Sequence, residues 1–148
     1  MFKRKSTSEE VTGVQIANKL ADQAEANFSQ GFNCCESVIK AAIETLDLPL
    51  PSETYRMGSF FRRGVAGTGC ICGALAGGIM MLGYIAGEKG NQDLAEKFRQ
   101  DFVERFGSTC CRVIRKKQSI TERFWAKECQ EITRFAGAKL QEVLDNNR

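Results

Sequence analysis

The chain has 148 residues, long enough to bury a real core as a single domain spanning 1–148. Its 21 basic and 18 acidic residues leave a net charge of +3; they are scattered, with no basic stripe of interleaved aromatics, so no nucleic-acid surface is predicted. Histidine is absent, which excludes His-dependent triads, imidazole bases, mixed Cys/His zinc sites and His-ligated haem.

In chain order, residues 1–6 read as disordered. Lys3-Arg4-Lys5 lacks the apolar run of a signal peptide, so a cytoplasmic location is expected. Thr7-Ser8-Glu9-Glu10 reads as a capping box. Val11, Val14, Ala17, Leu20, Ala21, Ala24 and Phe28 follow at helical spacing, and the helix ends near Gly31. Asn33 is a good N-cap with Glu36 in the capping-box position, which makes Cys34 and Cys35 the first residues of a second helix. Its apolar face is Val38, Ile39, Ala42, Ile43 and Leu46. Pro49 and Pro51 stop it, and Ser52 opens a short helical piece to about Phe61.

The stretch Gly64 to Gly87 organises the rest. It is uncharged, between Arg62-Arg63 and Glu88-Lys89, and eight of its 24 residues are glycine. Gly64, Gly67 and Gly69 suit a loop; Gly73-xxx-Gly77 and Gly83-xxx-Gly87 put glycines on one helix face. A central buried helix with a bare strip is predicted, one that a partner backbone can approach closely. A membrane span would have similar composition, but glycine costs about 1 kcal/mol per residue in a helix in water and the most apolar block is only Ile79 to Ala86. No membrane span is expected. Gly67-Thr68-Gly69 with Cys72 imitates a dinucleotide loop, yet no strand precedes it.

Beyond this helix, Asn91 caps a further one with Leu94, Phe98, Phe102 and Phe106 inward and Gly107 at its end. Ser108 or Thr109 can cap a short helix beginning with Cys110 and Cys111. The last helix starts at the capping box Ser119-Ile120-Thr121-Glu122, with Trp125, Cys129, Ile132, Ala136, Leu140 and Val143 as its inner stripe. No segment alternates like a strand. The fold class is all-α: a compact bundle of about five main helices, plus short pieces, around the glycine-rich one.

Seven cysteines are well above ordinary usage, and an odd number argues against a purely structural disulfide framework. Cys34/Cys35, Cys70/Cys72 and Cys110/Cys111 all fall at predicted helix N-termini, where partial positive charge and unpaired N–H groups favour a thiolate. The dipole supplies only about 0.3–1 kcal/mol, less than one pKa unit, so a thiol near 8.5 stays protonated at neutral pH. Full ionisation needs a metal or a close cation such as Arg63 or Arg112. There is no CxxC, and a disulfide between adjacent cysteines would be strained, so any bond or cluster must join different helices. Core filling is the plain alternative, strongest for Cys129 on its apolar stripe. Thiols gathered at three helix starts are less expected of filler.

Asn33-Cys34, then Cys72-Gly73-Ala74-Leu75-Ala76-Gly77, then Cys111-Arg112 and Cys129 resemble the C_GCAxxG_C_C family of small redox-active proteins, from about Ala26 to Leu144. The domain is also similar to the C-terminal part of split-Soret cytochromes c. The resemblance implies Cys34, Cys72, Cys111 and Cys129 as the redox or metal-binding set, with Gly73 and Gly77 as motif glycines. It implies an iron–sulfur cluster, 2Fe–2S first, with zinc or no metal as the other outcomes. Haem attachment would need C-x-x-C-H, which the chain lacks. Cys35, Cys70 and Cys110 depart from the family pattern, as alternates, resolving thiols or ligands of a second metal.

The expectation is therefore a small electron-transfer protein with a protein redox partner and four converging cysteines. A metal-free disulfide switch between helices, for example Cys72 with Cys111, is the alternative, and a structural zinc or interaction domain is third. An exposed part of the glycine face would let two copies pair. No catalytic residue is assigned, because neither a general base nor a substrate pocket can be named.

Overall fold

The computed structural model describes residues 19–87, 92–118 and 122–146, and every regular element among them is helical. The first helix, α1, covers 19–29 and is followed by Gly31 with φ of +107°, a conformation that suits glycine. Helix α2 (Cys34–Thr45) starts as its sequence dictates. Asn33 accepts the Glu36 N–H at 2.8 Å, and the Glu36 carboxylate accepts the Asn33 N–H at 2.8 Å. A 3₁₀ segment (Ser52–Gly58) follows, and the Asn33 side chain donates to the Gly58 carbonyl at 3.0 Å. One asparagine thus caps α2 and ties the next segment to its start.

The glycine-rich stretch divides into a loop and a helix. Gly64, Gly67 and Gly69 have φ of +83°, +82° and +90°, and the loop holds a 3₁₀ turn (Val65–Gly67). Helix α3 (Gly73–Ala86) then carries Gly73, Ala74, Leu75, Gly77, Gly78, Met81 and Leu82 on its buried side. A β-carbon added at Gly77 would lie 2.9 Å from the Cys35 carbonyl oxygen, so α2 approaches α3 more closely than any larger residue permits. Gly78 packs instead on the Phe98 ring. The bare strip is shorter than the glycine spacing suggested: Gly83 is exposed, with nothing within 4 Å of its added β-carbon.

Helix α4 (Gln92–Phe106) buries Phe98, Phe102 and Phe106. Rings of Phe102 and Phe106 stand 4.9 Å apart, and Phe135 meets Phe106 edge-on at 5.1 Å. Helix α5 (Cys111–Gln118) begins one residue later than its sequence implied, because the Cys110 N–H donates to Ser108 Oγ and lies in the capping turn. Helix α6 (Glu122–Asn146) runs back along α1, α2 and α3 with Ile132, Ala136, Leu140 and Val143 inward. Gly137 admits the backbone of α1 at Leu20 and Ala21. Outside, Arg134 bonds Asp22 and Glu25 across the same pair of helices. The six helices share one buried apolar cluster. Residues 1–6, the cap residues at 7–10, Asn91 and 119–121, and the Trp125 side chain lie outside the described residues. No described helix is long and apolar enough to cross a membrane.

Candidate thiol centre

Three helix starts and one helix face meet around a single cavity of about 210 Å³. Its lining includes Cys34, Cys72, Cys111 and Cys129, with Asn33, Arg62, Arg63 and Gly73, and apolar Phe28 and Ile132. Cys34 is the first residue of α2, Cys72 the N-cap of α3 and Cys111 the first residue of α5. Cys129 lies in the N-terminal third of α6. The local reasons are visible in the sequence: Asn33 fixes the start of α2, the glycine loop turns the chain into α3, and Ser108 sets the start of α5.

The electrostatics of the cavity oppose one another. Backbone N–H groups of Ala74 and Leu75 favour the Cys72 thiolate, but the Cys34 hydrogen bond, burial and the Cys34 charge outweigh them and hold its pKa well above the ordinary value. Burial and Cys72 raise Cys111, against the N–H groups of its own turn. Burial, then Cys72 and Cys111, push Cys129 up to about 12, while Arg63 and Arg115 pull it down. As expected, the helix starts alone do not ionise these thiols: the Cys34 interaction outweighs the N–H groups at Cys72, and burial outweighs them at Cys111. Of the cations anticipated from sequence, Arg63 lines the cavity; Arg112 does not.

The three cysteines outside the family pattern behave differently. Cys35 is fully buried between Gly58 and Gly77 and does not line the cavity. Cys70 and Cys110, expected as accessory thiols, are instead joined in a disulfide that bridges 40 residues. The pairing suggested as an example, Cys72 with Cys111, is not formed, since both are free; their near neighbours pair in their place. Two backbone bonds explain the apposition: the Cys72 N–H donates to the Thr109 carbonyl at 2.8 Å and the Arg112 N–H to the Gly69 carbonyl at 3.0 Å. They lay the loop beside the start of α5 and bring the Cα atoms of Cys70 and Cys110 to 4.3 Å. All three helix-start cysteine groups carry one member beyond the set the resemblance implies, and nothing in their spacing says that Cys70 and Cys110 are the two that pair.

Residues 32–143 match the family model described as "Putative redox-active protein (C_GCAxxG_C_C)". The chain belongs to this family. No curated protein and no solved structure matches it. As a C_GCAxxG_C_C protein it is a cysteine-rich, all-α member of a redox-active family, and Cys34, Cys72, Cys111 and Cys129, the set the resemblance implies, all line the cavity. The donor chemistry fits a thiolate-ligated centre, with four sulfurs and no competing imidazole. Their grouping does not fit one metal ion as it stands: among the described residues, no three cysteine, aspartate or glutamate side chains are grouped to hold an ion. The sulfurs border a shared space rather than a shared point.

Proposed function

We propose that the protein is an electron-transfer protein in which Cys34, Cys72, Cys111 and Cys129 ligate an iron–sulfur cluster, 2Fe–2S first. The observation that carries this is the convergence of these four thiols, from four separate segments, on one cavity. A zinc site needs sulfurs about 2.3 Å from a single ion, whereas a cluster interposes several iron and sulfide atoms between its ligands. Thiols spread around a space therefore support the cluster over zinc. When bound, a cluster supplies electron transfer at a potential tuned by hydrogen bonds to sulfur and by solvent exposure.

The chain's own groups do the rest. Arg62 and Arg63 place positive charge at the lining, which favours the thiolate form against the burial that keeps Cys111 and Cys129 protonated. N–H groups at the start of α3 face Cys72, and Phe28 and Ile132 limit water. With no substrate pocket assigned, the electrons pass to a protein redox partner.

One observation favours a second reading, the metal-free switch. Cys34 and Cys72 stand at the starts of different helices, line the same cavity, and interact closely enough that Cys34 holds the Cys72 thiol protonated. Their two thiols would form one S–S bond and release two protons, with two electrons reducing a partner protein's disulfide to a dithiol. Anaerobic purification followed by visible absorption with iron, sulfide and zinc analysis separates the accounts. Broad absorption with iron and sulfide, lost in Cys72→Ser, supports the cluster. Zinc without colour, or metal-free protein that reversibly loses two thiols, overturns it.

A further inference from the structure

A second cavity, also of about 210 Å³, adjoins the thiol centre and is lined by Arg63, Gly67, Thr68, Gly69, Cys111, Arg112 and Arg115. Three of its seven lining residues are arginines and none is acidic. We propose that it binds a small anion carrying two or more oxygens, either an inorganic oxyanion or a carboxylate-bearing metabolite, beside Cys111. Two of its residues, Arg63 and Cys111, also line the thiol cavity, so a bound anion sits next to the redox centre.

The pocket is built by the glycine loop. Gly69 presses on Arg112 so closely that an added β-carbon would lie 2.7 Å from the Arg112 β-carbon, and the Arg112 N–H donates to the Gly69 carbonyl. Arg112 and Arg115 lie three apart on α5 and so project from one side of it. Arg63 reaches the same pocket from the other wall, on a residue with φ of +54° whose carbonyl accepts the Gly69 N–H at 2.9 Å. The loop is not a phosphate cradle of the amide type. N–H groups of Gly67, Thr68 and Gly69 are already bonded to Arg62, Val65 and Arg63 carbonyls. Recognition therefore falls to guanidinium groups, whose planar forks match carboxylate and oxyanion geometry. Arg63 and Cys111 line both cavities, which places the anion's charge where it can bear on the thiols.

This inference does not depend on the cluster. Inorganic phosphate and succinate are titrated separately into the full chain by calorimetry or NMR, with chloride at matched ionic strength as control. Saturable binding of one of them is expected, and which one binds identifies the source of the anion. Arg112→Ala should weaken it about tenfold or more, and Arg112→Lys less, because lysine keeps the charge but loses the fork. Arg115→Gln is the second variant, with the same loss expected. Visible absorption of Arg112→Ala should be unchanged, since Arg112 does not line the thiol cavity, which keeps the two proposals separable. Absence of saturable binding beyond the chloride control would overturn the site, as would wild-type affinity in folded Arg112→Ala or Arg115→Gln.

Discussion

Gly73 opens α3 directly against the Cys34 sulfur: a β-carbon on Gly73 would lie 2.7 Å from that sulfur and 2.9 Å from the Phe61 carbonyl oxygen. Neither the start of α2 nor the Phe61 backbone can yield cheaply, since Asn33 pins both neighbourhoods through its capping bonds and its bond to Gly58. Gly73→Ala should therefore destabilise by about 1–3 kcal/mol, the usual range for overpacking, despite alanine's better helix propensity. It should also displace Cys34 from Cys72 and diminish any cluster absorption. Thermal unfolding and visible spectra matching wild type would show that this contact does not position the thiol.

The opposite sign is expected ten residues on. Gly83 lies within α3, exposed, and its added β-carbon meets nothing within 4 Å. Gly83→Ala should stabilise by about 0.5–1 kcal/mol, through helix propensity and a less flexible unfolded chain. A lower melting temperature than wild type would mean that this face is covered, as pairing of two copies would cover it.

These two glycines also show what could be read from the sequence. Spacing alone placed Gly73, Gly77, Gly83 and Gly87 on one strip, and it could not say which part of the strip has a neighbour. Caps were legible because they are local: Asn33 with Glu36 predicts α2 and both capping bonds form. Apolar stripes were legible for the same reason, down to Ile132, Ala136, Leu140 and Val143 on α6. The Cys70–Cys110 disulfide was not legible, because it follows from where the loop lies against α5, a relation between distant segments. Burial of the thiols was equally hidden. Helix starts favour a thiolate weakly, and only the packed structure shows the Cys34 interaction at Cys72 and burial at Cys111 raising their pKa values instead.

The disulfide should be worth a measurable share of stability. Closing a loop between positions 40 apart restricts the unfolded chain by up to about 4 kcal/mol in the chain-entropy account. Cys70→Ser should lower the melting temperature by roughly 5–15 °C, and dithiothreitol should lower the wild type to the same value. The flanking bonds from the Cys72 and Arg112 N–H groups survive reduction, so the thiol cavity and any cluster absorption should persist. Equal melting temperatures with and without reductant would count against a structural disulfide.

Alkaline pH should unfold the reduced, metal-free protein. Burial, then Cys72 and Glu36, push Cys35 up to about 12, and Cys129 is pushed as far by burial, Cys72 and Cys111. Unfolded thiols titrate near about 8.5. Between these values the folded chain holds more protons than the unfolded one, so stability falls as pH rises. The contribution is complete below the unfolded value and lost on approaching the folded one. Melting temperature should change little between about pH 6 and 8 and decline above about 9, with the decline shallower by one proton in Cys129→Ala. Identical slopes in the two proteins would place Cys129 in contact with water.

Neighbouring cysteines at the start of α2 should have separate roles. Cys34 lines the thiol cavity, whereas Cys35 lies fully buried, 2.8 Å from where a Gly58 β-carbon would stand. Cys34→Ser removes a donor from the centre, so cluster absorption and bound iron should be lost while the helices remain by circular dichroism. Cys35→Ala removes only a buried sulfur that packs between glycines. It should cost about 1–3 kcal/mol in unfolding and leave iron content unchanged. The reverse outcome, with iron lost in Cys35→Ala and kept in Cys34→Ser, would move the ligand to the other side of α2. That would break the link between the cavity and the redox centre.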